Sequence, residues 1–182
     1  MYEVELKAWV DDAELIQRRL EEHCTFTRLF EKRDRYFTAP ACAAEGGWEP
    51  KQFRLRRDDG ELTVTYKQRR LDEGVEINLE QEVGISDEEA FVGLVRRLGC
   101  TPLLDKHKRG RLYEYRGLNV ELSRVNEIGT FLEIEKLVED SDAARDEAQR
   151  EIRAALRTFG VAAERIEERP YTRLILDGVR ER

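Results

Sequence analysis

Two pairs of glutamates are spaced two residues apart in segments that alternate between polar and apolar residues. Glu3 and Glu5 are followed by Lys7, and Glu133 and Glu135 lie in a second segment of this kind. Residues i and i+2 of a β-strand project from the same face, so each pair sets two carboxylates side by side. Hard divalent cations such as Mg²⁺ and Mn²⁺ prefer carboxylate oxygens as ligands. The spacing therefore predicts a site for Mg²⁺ or Mn²⁺ built on strands.

Basic residues have the same spacing elsewhere in the chain. Arg54 and Arg56 share one predicted strand face, Lys106 and Lys108 share another, and Lys67 lies opposite the apolar residues of a third strand. A triphosphate carries about four negative charges, which arginine meets with a planar fork of donors and lysine with a point charge. These segments predict a binding surface for a triphosphate.

The charges are sorted by sign from one segment to the next. Glu80 and Glu82 share a strand face that carries no basic residue, and the same is true of Glu133 and Glu135. The face shared by Arg54 and Arg56 carries no acidic residue. A charged strand face usually points to solvent, and solvent exposure explains any one of these strands taken alone. Because solvent does not require sorting, we interpret the whole set as a binding wall. A closed barrel would turn that wall inward and strengthen its contacts with phosphates.

The composition excludes several classes of protein. Charged residues make up 39% of the 182-residue chain, against roughly 25% in an average domain. The 32 basic and 39 acidic residues nearly cancel, to a net charge of -7, which argues against a nucleic-acid partner. No run of about 18 apolar residues is present, and the three cysteines lack metal-binding spacing. We therefore expect a cytoplasmic protein without a membrane or nucleic-acid partner.

The pattern of the whole chain predicts one α+β domain over residues 1–182. Asp58–Gly60, Gly117 and Gly129 are typical of tight turns, so neighbouring strands should pair antiparallel. The segment after Tyr171 fits either a short helix or a strand, and Ala39–Pro50 is predicted to be a loop. Strands are predicted at 2–10, 27–38, 51–58, 61–68, 75–83, 103–115, 118–125 and 130–139, and helices at 12–22, 86–99 and 141–159, with a capping box from Ser86 to Glu89.

An ordered set of motifs along the chain resembles the CYTH superfamily. This superfamily includes class IV adenylyl cyclases, thiamine triphosphatases and related triphosphate tunnel enzymes, and the chain is most similar to the class IV cyclase-like branch. The motifs are Glu3-Val-Glu5-Leu-Lys7, Asp34-Arg-Tyr-Phe37, Phe53-Arg-Leu-Arg56, Lys67, Glu80-Gln-Glu82, Phe131-Leu-Glu-Ile-Glu135 and Tyr171.

The resemblance implies a closed eight-stranded antiparallel β-barrel, the triphosphate tunnel, with helices packed outside. Tyr171 would cover one tunnel end. Phosphates would be bound by Lys7, Arg54, Arg56, Lys67 and Lys108, with Lys106 on the same face, and the metal by Glu3, Glu5, Glu133 and Glu135, with Glu80 and Glu82 on the opposite wall. Among these we assign catalysis to Glu5, Lys7 and Lys67.

The chain departs from the family pattern at two positions. Gly110 stands where the family has an arginine two residues after Lys108, and Ser123 stands where the nearest branch has an acid that assists the metal. Glu121 lies on the same strand face as Ser123, and we expect it to contact the ion instead. Cyclisation needs more exact geometry than triphosphate binding does, so these departures bear mainly on the reaction.

Three functions remain open from the sequence. The first is a class IV-like adenylyl cyclase that converts ATP to cyclic AMP and pyrophosphate. The second is a triphosphatase acting on inorganic triphosphate, thiamine triphosphate or nucleotides, and the third is a module that binds nucleotide or polyphosphate without turnover. In each case the partner is a small-molecule triphosphate, and the protein is a monomer or a homodimer.

Overall fold

The computed structural model describes residues 1–40 and 51–180, so most of the predicted loop at Ala39–Pro50 lies outside the described residues. Eight antiparallel strands close into one barrel, and four α-helices pack around it, which confirms the predicted fold class. The strands are β1 (Tyr2–Trp9), β2 (Thr25–Thr38), β3 (Gln52–Asp58), β4 (Glu61–Asp72), β5 (Val75–Ile85), β6 (Thr101–Tyr115), β7 (Leu118–Val125) and β8 (Gly129–Val138).

The order of the strands around the barrel is β1-β5-β4-β3-β2-β6-β7-β8, with β8 returning to β1. Tight turns connect several neighbours: Asp59 and Gly60 have φ angles of 49° and 85° between β3 and β4. The turn predicted around Gly129 lies at residues 126–128, and Gly129 is the first residue of β8. Its lack of a side chain is needed there, since a Cβ would lie 2.8 Å from the Trp9 ring.

In most strands the mainly apolar face points outward and the mainly charged face points into the barrel. In β1, Val4 and Leu6 are fully buried beneath helices, whereas Glu3, Glu5 and Lys7 alternate with them on the inner face. Apolar burial therefore occurs between the barrel and the helices, which is where the hydrophobic effect stabilises the fold. The inner face is left free for polar groups, as the alternation predicts.

The helices are α1 (Ala13–His23), α2 (Glu88–Arg97), α3 (Asp142–Thr158) and α4 (Tyr171–Arg180). Asp12 caps α1, and Ser141, the predicted first residue of the third helix, caps α3. The predicted capping box at Ser86 is wrong, because the carboxylate of Asp87 accepts the Ala90 amide at 2.9 Å and α2 begins one residue later. None of the helices among the described residues is long and apolar enough to span a membrane.

Two helices cover the main core and a third closes one end of the barrel. α1 and α3 bury the outer faces of β1, β7 and β8, and α2 packs separately against the β3 region. α4 resolves the ambiguous C-terminal segment as a helix. Its Tyr171 and Leu174 pack against Phe131 and Val125, so this end of the barrel is filled by side chains.

Candidate active site

Three carboxylates meet on the inner wall where β1 pairs with β8. Glu5 and Glu135 are cross-strand partners, and Glu3 lies two residues before Glu5 on the same face. One carboxylate oxygen from each of the three lies within 4.8 Å of the others. We refer to Glu3, Glu5 and Glu135 as the carboxylate cluster. It unites three of the residues for which the sequence predicted metal binding.

The cluster concentrates negative charge in a buried place. Burial, together with repulsion from Glu3, raises the pKa of Glu135 to about 8. Burial also raises the pKa of Glu5, although Lys67 opposes that shift. A divalent cation would favour the ionised form of all three groups, and hard oxygen donors are the ligands that Mg²⁺ and Mn²⁺ take. The residues of the cluster therefore fit such an ion.

Lys67 lies directly beside the carboxylate cluster. Its ammonium nitrogen is 2.7 Å from Glu3, 3.8 Å from Glu5 and also paired with Glu80. Burial works against its charge, but these carboxylates raise the pKa of Lys67 above its usual value. Glu82 is not part of this group; its carboxylate accepts the Thr65 hydroxyl at 2.8 Å near an exposed stretch of β5.

A second charged group lies on β2, β3 and β6 around Asp34, which is fully buried. Arg56 contacts it through two hydrogen bonds of 2.7 and 2.9 Å, Lys106 is 3.0 Å away and Arg54 is 4.0 Å away. Burial opposes ionisation, but Lys106 and Arg56 hold the pKa of Asp34 well below its ordinary value. The three bases were predicted to bind phosphate; Asp34 appeared only within a motif. It is the residue that brings them together.

Lys108 forms the centre of a third group. Its ammonium pairs with Glu121 and Glu133, and Lys32 also pairs with Glu121. The Tyr171 hydroxyl donates to Glu133 at 2.6 Å. Burial favours the neutral form of Glu133, but the attraction of Lys108 outweighs this effect and lowers the pKa of Glu133. Glu121 and Glu133, which the sequence predicted as metal ligands, are thus bound to lysines and do not join the carboxylate cluster.

Lys7 completes the inner wall near α4. It pairs with Glu76, whose carboxylate also accepts a hydrogen bond from the Arg69 guanidinium at 2.9 Å. The ammonium nitrogens of Lys7, Lys106 and Lys108 lie 5.6, 5.0 and 5.8 Å from the centre of the Tyr171 ring. Tyr171 is therefore surrounded by lysines as it fills the barrel end.

Among the described residues, the charged inner-wall positions to which the sequence assigned no role include Lys32, Asp34 and Arg69. Each lies two residues from another inward-facing polar residue, so the period-two pattern that identified Lys67 could also have identified them.

Comparison with known proteins decides the family. Residues 1–171 match the family model described as the CYTH domain. The chain belongs to the CYTH family.

The matches of this CYTH domain to individual proteins extend over nearly the whole chain. It is 26% identical over 175 residues to the "Putative adenylate cyclase MJ0240" of Methanocaldococcus jannaschii, covering 96% of this chain and 98% of that protein. The structure of PH1819 from Pyrococcus horikoshii has a TM-score of 0.83 at 32% identity, covering 97% and 99%. HpAC1 from Hippeastrum, for which a dominant triphosphatase activity is described, shares the fold with a TM-score of 0.67 at 16% identity, covering 97% and 95%.

The two positions at which this CYTH domain is expected from its sequence to differ from its family are cross-strand partners. Gly110 on β6 lies opposite Ser123 on β7. A Cβ at Gly110 would press against the carbonyl oxygen of Leu122 and lie 2.7 Å from the Ser123 Cα. The strands therefore approach too closely at this point for a side chain at 110. The Ser123 hydroxyl is buried and has no hydrogen-bond partner within the described residues.

The close approach predicts that Gly110→Ala destabilises the protein by about 1–3 kcal/mol, because the added methyl group overpacks the sheet. The free energy of unfolding from urea denaturation measures this change. Gly84→Ala is a matched control, since a Cβ at Gly84 on β5 meets nothing within 4 Å. Equal stability of the two variants would refute the steric account of Gly110.

Proposed function

We propose that this CYTH domain binds a triphosphate together with Mg²⁺ or Mn²⁺ inside the barrel and cleaves one of its P–O bonds. The observation that carries the proposal is the carboxylate cluster with Lys67 beside it, on a wall that also presents buried arginines and lysines. Basic side chains bind the phosphates of such a ligand, and carboxylates bind the metal ion that accompanies it. One site for both therefore needs side chains of both signs.

Four bases supply the phosphate-binding part of the proposed site: Arg54, Arg56, Lys106 and Lys108. Arg54 is the best placed to receive a new anion. It is nine-tenths buried, its nearest carboxylate is 4.0 Å away, and its Nε has no hydrogen-bond partner among the described residues. A buried donor without an acceptor is costly, so a phosphate oxygen would stabilise it.

The catalytic roles fall to residues around the carboxylate cluster. Glu5 would hold the cation with Glu3 and Glu135, and a bound cation supplies Lewis-acid polarisation of phosphoryl oxygens. Lys67 and Lys7 would stabilise the negative charge that develops as the P–O bond breaks. Lys67 is supported by its contact with Glu5, and Lys7 by its buried position two residues after Glu5 on β1, where it pairs with Glu76.

The first candidate reaction is cyclisation of ATP. The ribose 3'-oxygen bonds to the α-phosphorus, the bond from that phosphorus to the bridging oxygen breaks, and pyrophosphate leaves with the electron pair as the hydroxyl proton is released. The name of the Methanocaldococcus relative, similar along nearly the whole chain, supports this reaction.

The second candidate is hydrolysis, in which water attacks the terminal phosphorus and the bond from that phosphorus to the bridging oxygen breaks. Orthophosphate and the remaining diphosphate are released as the water loses a proton. The Gly110–Ser123 pair favours it, because a charged residue expected from the family resemblance is missing on each of two neighbouring strands. Positioning a ribose hydroxyl needs more fixed contacts than positioning water does.

Product analysis distinguishes these reactions. The protein is incubated with ATP, inorganic triphosphate or thiamine triphosphate and Mg²⁺ or Mn²⁺, and cyclic AMP, pyrophosphate and orthophosphate are separated. Cyclic AMP with pyrophosphate identifies a cyclase, and orthophosphate identifies a triphosphatase. Tight binding without any product would refute the enzymatic proposal and leave a binding module. A Lys67→Met preparation purified in the same way reveals contaminating phosphatases.

A further inference from the structure

One polar side chain beside the carboxylate cluster has no role in the site described so far. Asn78 lies on the inner face of β5, is fully buried, and is the cross-strand partner of Glu3. Its amide Nδ2 donates to a Glu3 carboxylate oxygen at 3.4 Å. Its Oδ1 is buried and has no hydrogen-bond partner in the described part of the chain.

The neighbouring donors are engaged elsewhere. Lys67 pairs with Glu3, Glu5 and Glu80. Arg69, the partner of Asn78 on β4, donates to Glu76 and to a backbone carbonyl. Asn78 Oδ1 therefore remains as a buried acceptor, an arrangement that is costly unless a ligand or water satisfies it.

The chemistry of an acceptor limits what can satisfy Asn78. Ionised phosphate oxygens only accept hydrogen bonds, so the phosphates of the substrate cannot bond to Oδ1. The group that meets Oδ1 must therefore be a hydrogen-bond donor or a cation. Mg²⁺ and its relatives keep several waters when carboxylates bind them, and those waters are donors.

We propose that Asn78 is a positioning residue for the cation. Its Nδ2 orients the Glu3 carboxylate, and its Oδ1 accepts a hydrogen bond from a water on the cation held by the carboxylate cluster. The inference rests on the cation-binding part of the proposed function and is independent of which reaction follows. Outer partners of this kind typically change metal affinity by about 10–100-fold when they are removed.

The test is Mn²⁺ binding in the absence of any triphosphate, followed by electron paramagnetic resonance and calorimetry. Asn78→Leu keeps the size of the side chain and removes both polar atoms, and we expect its Mn²⁺ affinity to fall by about 10-fold or more. Asn78→Asp keeps the acceptor but loses the Nδ2 donor to Glu3, so its Mn²⁺ affinity should fall less than that of Asn78→Leu.

Thr65→Val is the matched control, because Thr65 is also buried on the inner wall but donates to Glu82, outside the cluster. Its Mn²⁺ affinity should be unchanged. A purely structural role for Asn78 would lower the melting temperature of Asn78→Leu and leave Mn²⁺ affinity intact.

The outcomes separate this inference from the proposed function. Equal Mn²⁺ affinity of Asn78→Leu and the unaltered protein would overturn the role of Asn78 even if triphosphate is turned over normally. Weaker binding by Asn78→Leu would support that role even if no triphosphate is cleaved, a result that refutes only the enzymatic proposal. Absence of Mn²⁺ binding by the unaltered protein would overturn both.

Discussion

Replacing Lys67 by methionine is expected to reduce kcat for triphosphate cleavage by about 10²–10³-fold or more, because one buried positive charge is removed from the site of developing negative charge. The change also leaves Glu3, Glu5 and Glu80 without their shared ammonium. Cation binding should persist, since its ligands remain. Steady-state kinetics at saturating Mg²⁺ measure the effect.

Lys136→Met is the matched control for Lys67→Met. Lys136 is also a β-strand lysine, but it pairs with Glu151 of α3 on the outside of the barrel. Its kcat should equal that of the unaltered protein. Retention of full kcat by a folded Lys67→Met variant would show that the site assignment is wrong.

Asp34→Asn is expected to cost about 3–5 kcal/mol of unfolding free energy at neutral pH, because removing one partner leaves buried charge uncompensated. The affected bases are Arg56, Lys106 and Arg54. Urea denaturation measures the loss. Asp58→Asn is the control; Asp58 pairs with the partly exposed Arg28, and such surface pairs contribute about 0–1 kcal/mol.

The same aspartate predicts a dependence of stability on acid. Its pKa is lower in the folded chain than in the unfolded chain, so its contribution is complete above the unfolded pKa and is lost as pH falls towards the folded value. Below about pH 4, the unaltered protein should therefore lose stability more steeply than Asp34→Asn. A difference between the two proteins that does not change with pH would contradict the ionised state of Asp34.

The strand faces could be predicted from the sequence because alternation is a local property. In β1, alternation places Val4 and Leu6 on one face and Glu3 and Glu5 on the other. This separation does not depend on which face the helices cover. The direction of each face is not local. It depends on barrel closure and on helices such as α3, which bury the apolar side and leave the charged side within the barrel.

The grouping of the charges could not be predicted in the same way. Glu133 and Glu135 share a face, yet only Glu135 joins the cluster, because strand register places it opposite Glu5. Glu133 instead meets Lys108 of β6 and Tyr171 of α4, which are distant in sequence. Register and helix docking are long-range properties, so spacing within a motif cannot distinguish the two glutamates.

The steric requirement at Gly110 also depends on contacts distant in sequence. The sequence shows only that a charged side chain is missing there, whereas the structure gives a reason in the close approach of Leu122 and Ser123. The family resemblance drew attention to this position, and the physical reason for a glycine there lies in the neighbouring strand.

Calorimetric titration of inorganic triphosphate, with and without saturating Mg²⁺, tests the central claim most directly. The claim is that one ligand is bound jointly by the bases around Asp34 and by a cation on the carboxylate cluster. It predicts one site per chain, and Mg²⁺ should raise the affinity of that site for triphosphate at least about tenfold, which is the effect typical of a cation contact. Glu135→Gln should abolish this gain. Absence of binding, or an affinity that neither Mg²⁺ nor Glu135→Gln alters, would contradict it.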